Sequence, residues 1–152
     1  MVARQARGGA ERKQHVFELL GSEHDVWVAT ADAEGRVCQI PLSFAWDGSV
    51  LVLSTPTASA TGRNLAASGR ARIALGSTRD VVLIEGAVRA YAGREVPSGY
   101  AEAFAAKLEW DPRGEDGERY GFFTVTPVTV RAWREENELK GRTLMRDGGW
   151  LY

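Results

Sequence analysis

The sequence predicts a mainly β domain, an antiparallel barrel of six or seven strands with two or three helices at its rim. Three observations predict it. Short runs in which apolar and polar residues alternate recur along the chain, turn residues such as Asp47-Gly48 lie between them, and only brief stretches place apolar residues at helical spacing. So many short strands in one chain of 152 residues favour a closed sheet over separate layers.

The elements follow in order. Residues 1–9 read as a flexible, polar and basic lead-in, and 10–21 as a helix, because Ala10, Lys13, Phe17 and Leu20 share one stripe before Gly21. From Asp25 the period becomes two: Val26, Val28 and Thr30 oppose Trp27, Ala29 and Ala31, and Asp32-Ala33-Glu34-Gly35 turns the chain. Ile40, Leu42, Phe44 and Trp46 then share one face of a second strand, opposite Gln39, Pro41, Ser43 and Ala45. Asp47-Gly48 is expected to supply the positive φ angles of a tight hairpin. Val50-Leu51-Val52-Leu53 is apolar on both faces, which requires cover on both sides, from its own barrel or from another subunit.

A run of small polar residues, Ser54 to Gly62, precedes a brief helix at Asn64-Leu65-Ala66 that Gly69 stops. Strands return at Arg72–Leu75 and Val81–Ile84. Glu95 to Glu109 reads as a helix with Pro97 in its first turn and Ala101, Phe104, Ala105 and Leu108 on one stripe. Trp110 to Arg119 is a long loop. In Tyr120–Trp133 the expected common face is Phe122, Thr124, Thr126, Val128 and Val130, with Pro127 marking an edge or a bulge. A last hairpin turns around Gly148-Gly149. The whole reads as one domain, 1–152.

Composition narrows the function. Nineteen basic and twenty acidic residues leave a net charge of -1, which does not suit a protein held to nucleic acid by neutralising phosphates. No apolar run approaches the roughly 20 residues of a membrane span, and the start lacks the apolar centre of a secretory signal. With a single cysteine, Cys38, the expected location is the cytoplasm. No Walker-type loop, GxGxxG turn or GxSxG elbow occurs, and two histidines with one cysteine cannot assemble a tetrahedral zinc set, so neither metal nor catalytic side chain is assigned. His15 reads as a surface residue of the first helix, His24 as a turn residue, and Cys38 as a small buried side chain. Glu115, Asp116 and Glu118 read as a solvated loop.

Between Ser49 and Asp80 there is no carboxylate, yet Arg63, Arg70, Arg72 and Arg79 fall there. The same interval holds the strand-to-helix junction, whose free N–H groups favour an anion. Hydroxyls of Ser54, Thr55, Thr57, Ser59 and Thr61 could add donors, and Arg63 could grip a phosphate or carboxylate with two parallel bonds. The alternative is that Thr57 or Ser59 only caps the helix and the arginines are solvated or paired with the acidic loop. Each of Trp27, Trp46, Trp110, Trp133 and Trp150 singly reads as a core or interface residue, with packing of one of the five on a planar ligand as the alternative.

In order, GRVCQIPLSFAWDG, VLVLST, PTASATGRNLAASG and RARIALG resemble the split barrel of the pyridoxamine 5'-phosphate oxidase-like family. The resemblance runs from about Asp25 to Tyr91 and implies a homodimer, a small-molecule substrate, and FMN in a groove between subunits. On that likeness Pro41, Leu42 and Ser43 flank the flavin ring through backbone groups, while Ser54, Thr55, Ser59, Thr61 and Arg63 face its ribityl phosphate. Gln39 joins this set where many relatives carry a basic residue, and Thr61 stands where they carry lysine. The stretch VTVRAWREENELKGR is similar to a segment near the cofactor ring in deazaflavin-using branches, which implies ring packing by Trp133 and, more weakly, contacts from Arg134 and Arg142. An 8-hydroxy-5-deazaflavin is the alternative cofactor, its anionic tail facing Arg4, Arg7, Arg12 and Lys13. The chain lacks the family's C-terminal Arg-x-His substrate pattern, so the resemblance implies an oxidoreductase other than a true pyridoxamine 5'-phosphate oxidase. A non-catalytic flavin, haem or tetrapyrrole binder, or a dimer without ligand, are the competing readings.

Overall fold

The computed structural model describes residues 4–114 and 118–152; Glu115 and Asp116, assigned above to an acidic loop, lie outside them. The described residues form three α-helices, α1 (Gly9–Ser22), α2 (Ala60–Ser68) and α3 (Ser98–Leu108), and one 3-10 turn, Glu136–Glu138. Eight strands accompany them: β1 (Asp25–Ala31), β2 (Val37–Trp46), β3 (Leu51–Pro56), β4 (Arg70–Ser77), β5 (Asp80–Ala92), β6 (Tyr120–Trp133), β7 (Thr143–Arg146) and β8 (Gly149–Trp150). Six of the strands close an antiparallel barrel in the order β1-β2-β3-β6-β5-β4, and β7 and β8 extend the sheet beyond β6. No helix among the described residues is long and apolar enough to cross a membrane.

Alternation decides the interior. Val26, Val28, Phe44, Leu51, Leu53, Ile73, Ile84 and Val125 point inward and are buried, joined by Val16 and Leu20 of α1 and Leu65 of α2. Burying each such side chain contributes roughly 1.5–3 kcal/mol. Val52, between two inward leucines, points outward and is nonetheless 0% exposed. Its cover is the chain's own α3: Val52, Ala45 and Phe122 pack with Ala101 and Phe104 in a second, outer core. Of the two sources of cover expected for this strand, the structure uses the intramolecular one.

Several boundaries differ from the sequence reading, each for a local reason. The residue before a proline is pushed out of the α region, so α3 starts at Ser98, with Pro97 as its N-cap, and not at Glu95. The β2–β3 connection is not a two-residue hairpin. Only Gly48 has positive φ there, and the Asp47 carboxylate accepts the N–H groups of Ser49 and Val50. The last turn is centred on Asp147-Gly148, both at positive φ, the type I′ geometry.

The expected common face of β6 is overturned. Gly86 pairs with Pro127 and Glu85 with Thr129, so Val128 is an extra residue and the side-chain phase inverts across it. Phe123 and Val125 face the interior before the bulge, Val130 and Ala132 after it, and Phe122 and Val130 lie on opposite faces. Pro127 marks this bulge in a strand that has neighbours on both sides, not an edge. Gly86 is required opposite: a Cβ there would lie 2.4 Å from Val125 Cγ1 and 2.9 Å from Thr126 O.

The lead-in before α1 is anchored. Arg7, 6% exposed, donates from its backbone N and its guanidinium to Glu138, which is 2% exposed. Arg12, also buried, donates to the carbonyls of Arg7, Ala132 and Glu138. Together they tie residues 7–12 to the β6–β7 connection.

Candidate functional site

The barrel is split between β2 and β3. The two strands pair only from Phe44↔Leu53 to Trp46↔Leu51, so residues 37–43 of β2 have no strand partner on that side among the described residues. Phe44 N donates to His24 O, and the alternation of an antiparallel ladder then turns Leu42 and Ile40 toward β1. It follows that the backbone groups of Gln39, Pro41 and Ser43 face the split. Proline fits this strand because its missing N–H would point into the gap and not into the ladder. Leu42, assigned above to backbone contact with a ring, reaches the gap with its side chain only.

Below this edge lies the β3–α2 link. Here α2 begins at Ala60, four residues before the expected helix, because Ser59 caps it: Ser59 Oγ accepts from Gly62 N at 3.0 Å and donates to Pro56 O at 2.7 Å. Ser54 Oγ donates to Gly121 O, Thr55 is buried, and Thr61, 1% exposed, turns its hydroxyl to Cys38 Sγ at 3.4 Å. The protein itself therefore engages the hydroxyls of Ser54, Ser59 and Thr61. Gly62 lets the link close, since a Cβ there would lie 2.3 Å from Pro56 O. Ser59 takes the N–H groups of Gly62 and Arg63, which leaves those of Ala60 and Thr61 without a protein acceptor among the described residues. Arg63 is exposed beside them, its guanidinium donating to Ala58 O.

The other arginines of the acid-free interval divide. Arg72 pairs with Glu85 and Arg79 with Glu135, so their partners lie on β5 and after β6 and not in the 110–119 loop. In the lead-in, the assignment of Arg7 and Arg12 to an anionic tail is overturned. Arg7 and Arg12 are buried on their own partners, and Lys13 donates to Tyr152 O.

A cavity of about 360 Å³ opens beside the split edge. It gathers Pro41, Leu42, Ser43 and Ser54 from the predicted set, and α3 with its exit supplies an apolar wall of Phe104, Leu108 and Trp110. His24 and Asp25 complete the lining, and the sequence reading had left them out of the site. Ser43 Oγ donates to Asp25 Oδ1 at 2.6 Å and His24 Nδ1 approaches the same oxygen at 2.9 Å. An ionised carboxylate only accepts, so Nδ1 carries hydrogen and Nε2 is the unengaged ring nitrogen. The Ser43 hydrogen bond, then that of His24, holds the Asp25 carboxyl below its ordinary range. Across the rim, burial lowers the Lys107 ammonium from its ordinary value. No sequence motif announces this cluster, because β1 and β2 pair residues eighteen positions apart.

A second cavity, about 460 Å³, lies where β1 and β4 separate beyond Ala29↔Arg72; it contains none of the predicted site residues. Trp133 is also elsewhere. Tyr120, at the opposite end of β6, is the residue that pairs with Pro56 of the link. Thirteen positions of a bulged strand separate it from Trp133, at most roughly 40 Å at about 3.3 Å each. Within one chain Trp133 does not join the site; its ring has the Arg142 guanidinium 5.8 Å away, and Arg134 donates to Asp80. Among the described residues no three His, Cys, Asp or Glu side chains converge to hold a metal ion.

Comparison with known proteins gives a consistent architecture. The family model described as pyridoxamine 5'-phosphate oxidase matches residues 13–134. Among solved structures, a heme binding protein from Mycobacterium smegmatis superposes with a TM-score of 0.71 at 20% identity, covering 97% of this chain and 60% of that one. General stress protein 26 from Bacillus anthracis str. Sterne gives 0.65 at 17% identity, covering 82% and 95%. A chain described as an F420 reductase gives 0.61 at 19%, covering 74% and 93%. No curated protein matches the sequence.

Proposed function

The chain belongs to the pyridoxamine 5'-phosphate oxidase family, and from that membership we propose that it is a homodimeric oxidoreductase that binds FMN, or alternatively an 8-hydroxy-5-deazaflavin, and acts on a small organic compound. The observation that carries the reading is the split: an unpaired backbone edge at Gln39, Pro41 and Ser43, standing over a helix N-terminus with an exposed arginine. The residues present fit such a cofactor. The edge offers donors and acceptors to a heteroaromatic ring, and Arg63 with the Ala60 and Thr61 N–H groups offers an anionic head group its counter-charge. When bound, the flavin supplies the two-electron chemistry; the chain binds it, orients it and excludes water.

Titration with FMN should show micromolar or tighter binding, and mass spectrometry of ligand released from purified protein identifies the natural cofactor. Arg63→Ala should weaken FMN binding at least tenfold, the equivalent of about 1.5–3 kcal/mol for charge-assisted hydrogen bonds. An unchanged dissociation constant removes Arg63 from the site. A haem or tetrapyrrole carrier is the second reading, favoured by the fold shared with the mycobacterial heme binding protein. Haem-type absorbance in purified protein, with no FMN binding, would select it.

The homodimer has a physical argument of its own. Across β2, β1, β4 and β5 the register aligns Pro41, Trp27, Ala74 and Leu83 in one apolar row on the outer face of the sheet. Trp27 is 50% exposed in the single chain. A second copy packed on this row would bury it and could bring its own Trp133 toward the split, which one chain cannot do. Trp27→Asp should convert dimer to monomer in sedimentation analysis; a wild-type chain that sediments as a monomer, or a dimer indifferent to the change, refutes this assignment.

A further inference from the structure

We propose that the cavity between β2 and the C-terminal end of α3 is a binding site for a flat aromatic compound that is uncharged or cationic, seated on Trp110 and held at the rim by Asp25. Pro41, Leu42, Phe104, Leu108 and Trp110 form apolar walls beside His24, Asp25, Ser43 and Ser54, and the volume of about 360 Å³ lies within the range of small-molecule sites. The ring of Trp110 meets Tyr120 edge-on at 82° and Phe104 at 59°, so neither neighbour stacks flat on the indole. A planar ligand can do so.

Charge gives the selectivity. The titratable groups around the rim are Asp25, His24 and Glu23 from the α1–β1 turn and Lys107 from α3. The Lys107 ammonium, near enough to Asp25 to help hold its carboxyl low, is engaged elsewhere: it donates to Glu23 O at 2.6 Å and sits 3.8 Å from the centre of the Phe44 ring. Ser43 and His24 both engage Oδ1 of Asp25, and Oδ2 has no hydrogen bond among the described residues. Neither arginine nor lysine lines the cavity among those residues. An entering anion would face an ionised carboxylate at the rim, with the Lys107 ammonium outside the cavity lining and held on Glu23 O, whereas an amide or amidinium N–H finds an acceptor.

This site shares Pro41 and Ser43 with the proposed cofactor edge, and it rests on that reading only in making the bound compound the redox substrate. Benzamidine, benzamide and benzoate carry +1, 0 and -1 on nearly the same flat frame and serve as probes of cofactor-free protein. Calorimetry and the Trp110 indole N–H signal in NMR report binding. Benzamidine and benzamide should bind and shift that signal, benzoate at least tenfold more weakly than benzamidine, and Asp25→Asn should abolish the difference between the two ions. Benzoate binding as well as benzamidine, an unmoved Trp110 signal, or displacement of benzamidine by FMN would each overturn the proposal, the last by making the cavity the seat of the cofactor ring. Failure of FMN to bind while the benzamidine pattern holds would sink the cofactor reading alone.

Discussion

Replacing Glu138 by Ala should lower the unfolding free energy by about 3–5 kcal/mol, the cost of stranding one partner of a buried ion pair. Glu138 accepts from Arg7 N and the Arg7 guanidinium and from Arg134 N, so its loss leaves a buried guanidinium with only His15 Nδ1 at 2.9 Å and Asp80 at 3.6 Å, and two backbone donors without an acceptor. The double substitution Arg7→Met with Glu138→Leu should recover the part of the loss due to the stranded charge, because an apolar pair has no charge to desolvate, while the backbone N–H groups of residues 7 and 134 stay unpaired. The same contacts make the effect depend on pH. The hydrogen bond from the Arg7 side chain, foremost, holds the Glu138 carboxyl at about 2 against its ordinary 4.5. A depressed carboxyl stabilises the fold above its unfolded value, so the contribution is complete above about pH 4.5 and is lost as pH falls toward 2. It amounts to roughly 3 kcal/mol. Urea unfolding of both proteins from pH 7 to pH 2 tests this: the difference between them should shrink across that window. A constant difference would mean that packing, and not ionisation, makes Glu138 important.

Phe104→Ala should cost about 3–5 kcal/mol. The loss should also be local. Phe104 fills the outer core, edge-on to Phe122 at 5.7 Å, and that core is separate from the barrel interior. Hydrogen exchange should therefore lose protection in α3 while β4 and β5 stay protected. Because Phe104 also walls the cavity beside the split, the variant should lose benzamidine binding. Uniform loss of protection through the barrel would show that the two cores unfold as one.

These two expectations concern residues whose roles the sequence expressed unequally. Phe104 was legible: it recurs with Ala101 and Leu108 at helical spacing, and a helix buries the stripe that its period creates. Glu138 was not, since its partner lies 131 positions away and nothing near either residue signals the pairing. The site divides the same way. The cap at Ser59, the stop at Gly69 and the bulge at Pro127 depend on a residue and its immediate neighbours, so the sequence offered each, the cap as Thr57 or Ser59 and the bulge as one of two alternatives with an edge. Whether a serine or threonine beside them offers its hydroxyl to a ligand depends on what the fold brings against it. Gly121 O takes Ser54, and Cys38 turns Thr61 inward. His24 illustrates the converse: an unremarkable turn residue becomes part of a cavity because β2 and α3 arrive beside it.

By itself, then, the sequence determined roughly where the strands and helices lie, though not most of their ends, and that six or seven strands form a small antiparallel barrel. Periodicity and backbone preference are short-range properties, and they are written where they act. Only the tertiary structure decided where the barrel stays open, which face of β6 each residue takes beyond Val128, and which arginines and hydroxyls remain free for a ligand. Those outcomes are set by strand register and by partners up to 131 residues distant, and a single inserted residue inverts every side chain that follows it.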